Sequence, residues 1–234
     1  MYIPLTMRKM MFWVLTMLSC IVCSCSSDST EPASAFSGGP DASASENSKS
    51  GGVYKGVIVG SSGTFAVVLQ GGIKRIRLTM DGETRDLTTA SLDSWVSGDP
   101  LKNVLFEAND WQATFSVGAT GNVPSINFTL PGHTNLQVVL LKELSSAQVR
   151  AFEGTYSGTS SGTWNFIVQG PALTGVSRSA DGGSTLTFYG LVNGTSITLD
   201  GVSGSGSISG DNVSGSWSDS GSGGSGTWTG KRSM

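Results

Sequence analysis

Three cysteines, Cys20, Cys23 and Cys25, and one histidine, His133, are the side chains best suited to nucleophilic or metal chemistry in this sequence. The cysteines fall within six residues of one another, just where an apolar run ends. A Ser-His-acid triad would have to use His133, yet no Gly-x-Ser-x-Gly elbow stands between a strand and a helix pattern. His133 itself lies in the turn-like Pro131-Gly132-His133-Thr134. A single imidazole without downstream thiolates supplies too few ligands for zinc. Carboxylates gather at Asp81, Glu83 and Asp86 and at Glu107 and Asp110, where facing strands would allow a glycosidase pair or a calcium site. Asp81-Gly82 and Asn109-Asp110, however, have the composition of hairpin corners, which favour these residues for backbone reasons. The sequence therefore assigns no catalytic residue, no metal and no cofactor.

Aromatic side chains offer a different chemistry. Trp95, Trp111, Trp164, Trp217 and Trp228, with Tyr54, Tyr156 and Tyr189, could line a cleft for a sugar or another flat ligand. Trp164 and Trp228 each follow Gly-Thr in strand-like surroundings, which is the pattern of a core aromatic and favours packing. The alternative is a hollow barrel, in which Trp164, Phe166, Phe188 and Trp217 would line a ligand cavity.

The start of the chain reads as a targeting signal. Arg8 and Lys9 form a short positive region, and the stretch from Met11 to Val22 is apolar apart from Thr16, Ser19 and Cys20. That is the length of a signal-peptide core and too short to span a bilayer. The run Val22-Cys23-Ser24-Cys25 resembles the lipobox of bacterial lipoproteins, with an aliphatic residue three places before the cysteine and a small one just before it. Met17-Leu18-Ser19-Cys20 is the competing match. Cys25 is preferred because Ile21 and Val22 extend the apolar segment past Cys20, whereas Ser26-Ser27-Asp28 turns polar at once. The resemblance implies a signal peptide over 1–24, acylation (palmitate included) at Cys25, and membrane lipid as a partner. It further implies anchoring at the cell outer membrane without a transmembrane helix.

Processing at Cys25 leaves a domain with no free thiol and no disulfide. Removing Arg8 and Lys9 from the 14 basic side chains leaves 12 against 17 acidic ones, a formal −5. That excludes nucleic acid as a partner, since it requires a basic surface. Lys74, Arg75, Arg77 and Arg85 are the only basic cluster and read as a solvated strand face. With 38% hydrophobic residues and 13% charged ones, the chain can bury a core, and its many Gly and Ser residues point to a turn-rich β protein.

Residues 25–52 are mostly Ser, Ala, Gly, Pro, Asp and Glu with one large apolar side chain, Phe36, and read as a flexible, lipid-anchored linker. Beyond it an internal repeat appears. Gly52-Val53-Tyr54-Lys55-Gly56 followed by Ser62-Gly63-Thr64-Phe65 and Gln70-Gly71 returns as Gly154-Thr155-Tyr156-Ser157-Gly158 followed by Ser161-Gly162-Thr163-Trp164 and Gln169-Gly170. Each copy opens a series of alternating segments punctuated by turns such as Asp81-Gly82, Pro131-Gly132, Asp181-Gly182 and Asn193-Gly194. In the first copy Phe65, Val67 and Leu69 share a face, as do Ile76, Leu78 and Met80, and Trp111, Ala113, Phe115 and Val117. In the second copy Trp164, Phe166 and Val168, Leu186 and Phe188, and Ile197 and Leu199 do the same.

The expected fold class is all-β, with two consecutive antiparallel meander modules of about eight strands, each a small up-and-down barrel or a sandwich. Module 1 is placed at 53–143 and module 2 at 152–232, joined by a short helical connector over 144–151 capped by Ser145. A single merged sheet is the alternative. The segments are too short, and too rich in Ser and Thr on their second face, for membrane-spanning strands. The second copy resembles the Gly- and Thr-rich β-meander domains of secreted and lipidated bacterial proteins. Gly162-Thr163-Trp164 with Leu173-Thr174-Gly175 also resembles the opening of avidin-like barrels, over about a dozen residues and without a biotin site. The function expected is that of a non-enzymatic binding or structural component of the envelope, with another envelope protein or a small ligand as partner. A small-ligand-binding barrel is the alternative and a hydrolase the second alternative.

Overall fold

The computed structural model describes residues 36, 38–59, 63–182, 184–200, 203–221 and 223–234. The expected signal segment and both acylation candidates, Cys25 and Cys20, lie outside them. Among the described residues no helix is long and apolar enough to cross a membrane.

Among the described residues sixteen strands account for the fold. The first eight are β1 (Gly52–Val59), β2 (Gly63–Gln70), β3 (Ile73–Met80), β4 (Glu83–Thr88), β5 (Leu101–Ala108), β6 (Trp111–Val117), β7 (Ser125–Thr129) and β8 (Gln137–Lys142). They form one antiparallel sheet in the order β7-β6-β5-β4-β3-β2-β1-β8. The second eight are β9 (Val149–Gly158), β10 (Gly162–Gln169), β11 (Ala172–Ser179), β12 (Thr185–Asn193), β13 (Ser196–Asp200), β14 (Ser203–Ser209), β15 (Asn212–Ser218) and β16 (Ser225–Arg232). These close into a barrel, β16 pairing back onto β9. The second copy is thus a barrel and not a sandwich, and the two copies keep separate sheets.

Period-2 patterning decides both cores. Phe65, Val67, Leu69, Ile76, Leu78, Phe106, Ala113 and Phe115 face one buried cluster that also holds Tyr54. Corners form where positive φ is tolerated: Asp81 and Gly82 stand at φ 51° and 83° between β3 and β4, the backbone a two-residue hairpin requires. β1 is buried along its whole length, because its other face meets the barrel. There Val57 packs with Val149, Ala151 and Ile167, and Val139 and Leu141 of β8 close over them.

Two expectations are corrected here. The segment 144–151 contains no helical turn: Leu144 bridges to Ala147 through a tight turn, and β9 starts at Val149. Burial of Val149 and Ala151 against β1 and β10 rewards extension, and tertiary packing overrides a weak helix signal. Nor is the end of the expected linker a free tether. A 3-10 turn spans Ala44–Glu46, Ser50 is fully buried, and Asp41, Ser43 and Asn47 bond to residues of the folded body. Short polar side chains look like linker in composition, yet they can satisfy backbone groups across a seam.

Candidate functional site

The barrel interior is set by alternation of large rings and glycines. Trp164 and Phe166 on β10, Phe188 on β12, Trp217 on β15 and Trp228 on β16 point inward, and glycines occupy facing inward positions. A Cβ on Gly206 would stand 2.2 Å from Trp228 Cζ2, and one on Gly215 would stand 2.4 Å from the same atom. Gly154 and Gly230 leave equivalent room for Trp164, at 2.4 and 2.6 Å, and Gly175 does so for Phe188 at 2.4 Å. Each ring therefore lies directly on the backbone of neighbouring strands. Glycine weakens a strand by itself, but here it admits the close approach. The outward positions of β14, β15 and β16 are almost all Ser or Thr.

The two ends of the barrel differ. Toward the β10–β11 and β12–β13 turns it is filled by Phe152, Val168, Leu173, Val192, Ile197, Ile208 and Val213. Toward the β9–β10, β11–β12 and β15–β16 connections it opens into a cavity of about 420 Å³. All four residues expected to line a ligand cavity, Trp164, Phe166, Phe188 and Trp217, line this one. Tyr156 and Trp228 join them, with Leu186 and Leu199 beside the rings and Ser160, Ser177, Ser179, Ser184 and Asp219 supplying polar groups. Ser177 and Ser179 could have been found from parity, since they continue the inward series of Leu173 and Gly175 on β11. Nothing in the sequence around Asp219 marks it.

The rings meet at defined angles. Trp164 stacks on Phe166 with centroids 4.8 Å apart and planes 10° from parallel. Trp228 stands edge-on to Trp164 at 5.6 Å and 86°, and Tyr156 edge-on to Trp217 at 6.0 Å and 89°. Such geometry suits ring quadrupoles. All three indole N–H groups are bonded to strand carbonyls: Trp164 Nε1 donates to Thr155 O at 3.1 Å, Trp217 Nε1 to Ser157 O at 3.3 Å, and Trp228 Nε1 to Ser216 O at 3.2 Å. Trp164 and Trp228 are thereby fixed as wall and core at once, at 4% and 5% exposure.

The other candidates lie elsewhere. Trp95, Trp111 and Tyr54 belong to the first core, and Tyr189 faces outward from β12. His133 Nε2 sits 3.2 Å from Asp81 Oδ2 across two turns of the first sheet. Arg85 holds both Glu83 (2.7 Å) and Asp110 (2.8 Å) while lying 4.5 Å over the Trp111 ring. Asp86 faces Arg75 and Arg77 at 3.5 and 3.3 Å. Arg75 and Arg77 of the basic cluster thus pair across strands with Asp86, Arg85 pairs with Glu83 on its own strand and with Asp110, and Lys74 donates to the Leu92 carbonyl.

No family model matches the chain, and no curated protein matches it. Among the solved structures the matches are distant. One is a surface lipoprotein with 10% sequence identity and a TM-score of 0.31, covering 77% of this chain and 98% of that one. Another is a mutant of the vaccine antigen Transferrin Binding Protein B from Actinobacillus pleuropneumoniae, at 10% identity and a TM-score of 0.32, covering 77% of this chain and 98% of that chain.

Proposed function

We propose that this chain is an envelope lipoprotein that binds a small ligand in the open end of its barrel. The aromatic cavity carries the reading. Its volume of about 420 Å³ falls within the usual range of small-molecule sites, roughly 300–1,000 Å³. Its walls are held rigid by ring contacts and by the indole bonds to the strands, so a ligand meets a preformed surface. Among the described residues the lining contains one carboxylate and no imidazole, amine or thiol, which supports binding rather than bond-making chemistry. Anchoring through Cys25 rests on the apolar leader and the lipobox-like run; mass spectrometry of the chain made in a lipoprotein-processing bacterium should find an acylated Cys25 as the first residue.

Ser177→Phe tests the cavity, because position 177 faces inward and a phenyl ring there fills the space. Calorimetric screening of small aromatics, alkyl compounds and sugars should find a saturable ligand whose affinity falls by about tenfold or more in the variant, while the variant's melting temperature stays near that of the parent. Absence of any ligand, or equal binding by S177F, would contradict the proposal.

A further inference from the structure

We infer that the ligand of this cavity is an organic cation, an alkylated ammonium head on a small apolar body; the inference rests on the binding role proposed above. Its basis is what the lining withholds. The three indole N–H groups are all turned into the barrel wall and bonded to Thr155, Ser157 and Ser216 carbonyls, which leaves the Tyr156 hydroxyl as the donor that the rings bring to the lining. Six aromatic rings line the cavity, and the π face of such a ring carries a negative quadrupole that attracts a cation held within about 6 Å of its centroid. Edge-to-face pairs make adjoining walls: Trp228 stands at 86° to Trp164, and Tyr156 at 89° to Trp217. Trp164 already stacks one face on Phe166, so a compact head meets the less buried pair, Tyr156 and Trp217.

Charge points the same way. Among the described residues Asp219 is the only carboxylate of the lining and no Lys, Arg or His contributes to it, and the Asp219 carboxylate is oriented by the N–H of Gly221 at 2.9 Å. Arg178, the basic residue on a mouth strand, turns its guanidinium outward to the carbonyl of Asn135. Basic groups collect instead at the filled end, where Arg232 faces Asp211 at 3.9 Å and Arg150 lies over Phe152 at 5.8 Å. An anion entering the mouth would meet a carboxylate and π faces with no cation to answer it. Serine hydroxyls at 160, 177, 179 and 184 can accept from or donate to a polar tail.

Three probes of equal shape separate charge from fit: choline, the neutral alcohol in which carbon replaces its quaternary nitrogen, and the carboxylate of that carbon skeleton. Calorimetry or tryptophan fluorescence on the full chain should rank them cation, neutral, anion, with choline favoured over the alcohol by roughly tenfold, the scale of a desolvated cation–π contact. Asp219→Asn should reduce choline binding several-fold and leave the alcohol unchanged. Equal binding of choline and the alcohol, or unchanged choline binding in D219N with the alcohol equally held, would overturn the inference while leaving the cavity a ligand site. If none of the three binds, and neutral aromatics bind with S177F sensitivity, the cation inference falls alone. If nothing binds at all, both fall.

Discussion

Lys55 places its ammonium 2.8 Å from Oε1 of Glu143, and both side chains are buried, Glu143 completely. The pair joins β1 to the turn after β8. Glu143 also accepts the N–H of Val149 at 2.8 Å and of Asp41 at 2.7 Å, and Asp41 returns its own carboxylate to Lys55 at 2.7 Å. One carboxylate thus ties together the segment before β1, the first sheet and the first strand of the barrel. Burying charge is costly, and it is tolerated because every partner is present.

Removing one partner leaves the other unanswered in the interior. Glu143→Ala should therefore cost about 3–5 kcal/mol in urea unfolding. Combining Lys55→Met with Glu143→Leu should recover much of that loss, because no buried charge is then stranded. A double variant as unstable as Glu143→Ala alone would show that the cost lies in lost shape.

The Gly206–Trp228 contact predicts an asymmetry between neighbouring positions. Gly206→Val sets a side chain into the indole and the Ser214 carbonyl, and overpacking of that kind costs about 1–3 kcal/mol or more. Ser205→Val, one residue away on the exposed outer face, should change stability by no more than about 0.5 kcal/mol. Thermal unfolding of the two variants side by side checks this.

Asn47 and Ser145 exchange two hydrogen bonds: Asn47 Nδ2 donates to Ser145 Oγ and Ser145 N donates to Asn47 Oδ1, both at 3.0 Å. Asn47→Ala should cost about 1–2 kcal/mol and speed hydrogen exchange at the amide of Ser145. Unchanged exchange there would mean that this segment is not held by the body.

Glu153 supplies a pH dependence. Burial, the dominant cause, raises its pKa above 4.5, and Lys231, opposite it on β16, offsets only part of this. A raised carboxyl pKa means that the folded state holds the proton more tightly than the unfolded chain. Its contribution is then full below the unfolded pKa and is lost as pH rises through the folded one. Glu153→Gln should match the parent in acid and become relatively more stable as pH rises toward neutrality. Melting curves across that range should show the gap opening upward; a gap opening toward acid would contradict the assignment.

How much of this was legible can be read from particular residues. Alternation placed Phe65, Ile76, Phe115, Trp164 and Ile197 in their cores without error, because a period of two leaves no choice of face. The repeat was visible too, but its use was not. Phe65 lies over Gly56, after the tyrosine of the motif, whereas Trp164 lies over Gly154, before it. The two hairpins differ in register, which depends on the turn and on what each strand buries. Sequence pattern also could not show that residues 38–51 pack, since their bonds to Gln70, Glu143 and Ser145 span distant parts of the chain. Asp219 was hidden for the same reason. Its place at the mouth follows from barrel closure, not from its neighbours.

The central claim is that the open end of the barrel receives a ligand, and the indole N–H resonances test it most directly. In a titration with choline, followed by nitrogen-proton correlation spectra of the full chain, the signals of Trp164, Trp217 and Trp228 should move together and saturate. Those of Trp95 and Trp111, in the first core, should stay still. Three unmoved barrel indoles across that titration and a parallel one with neutral aromatics, or equal movement of all five, would contradict the account.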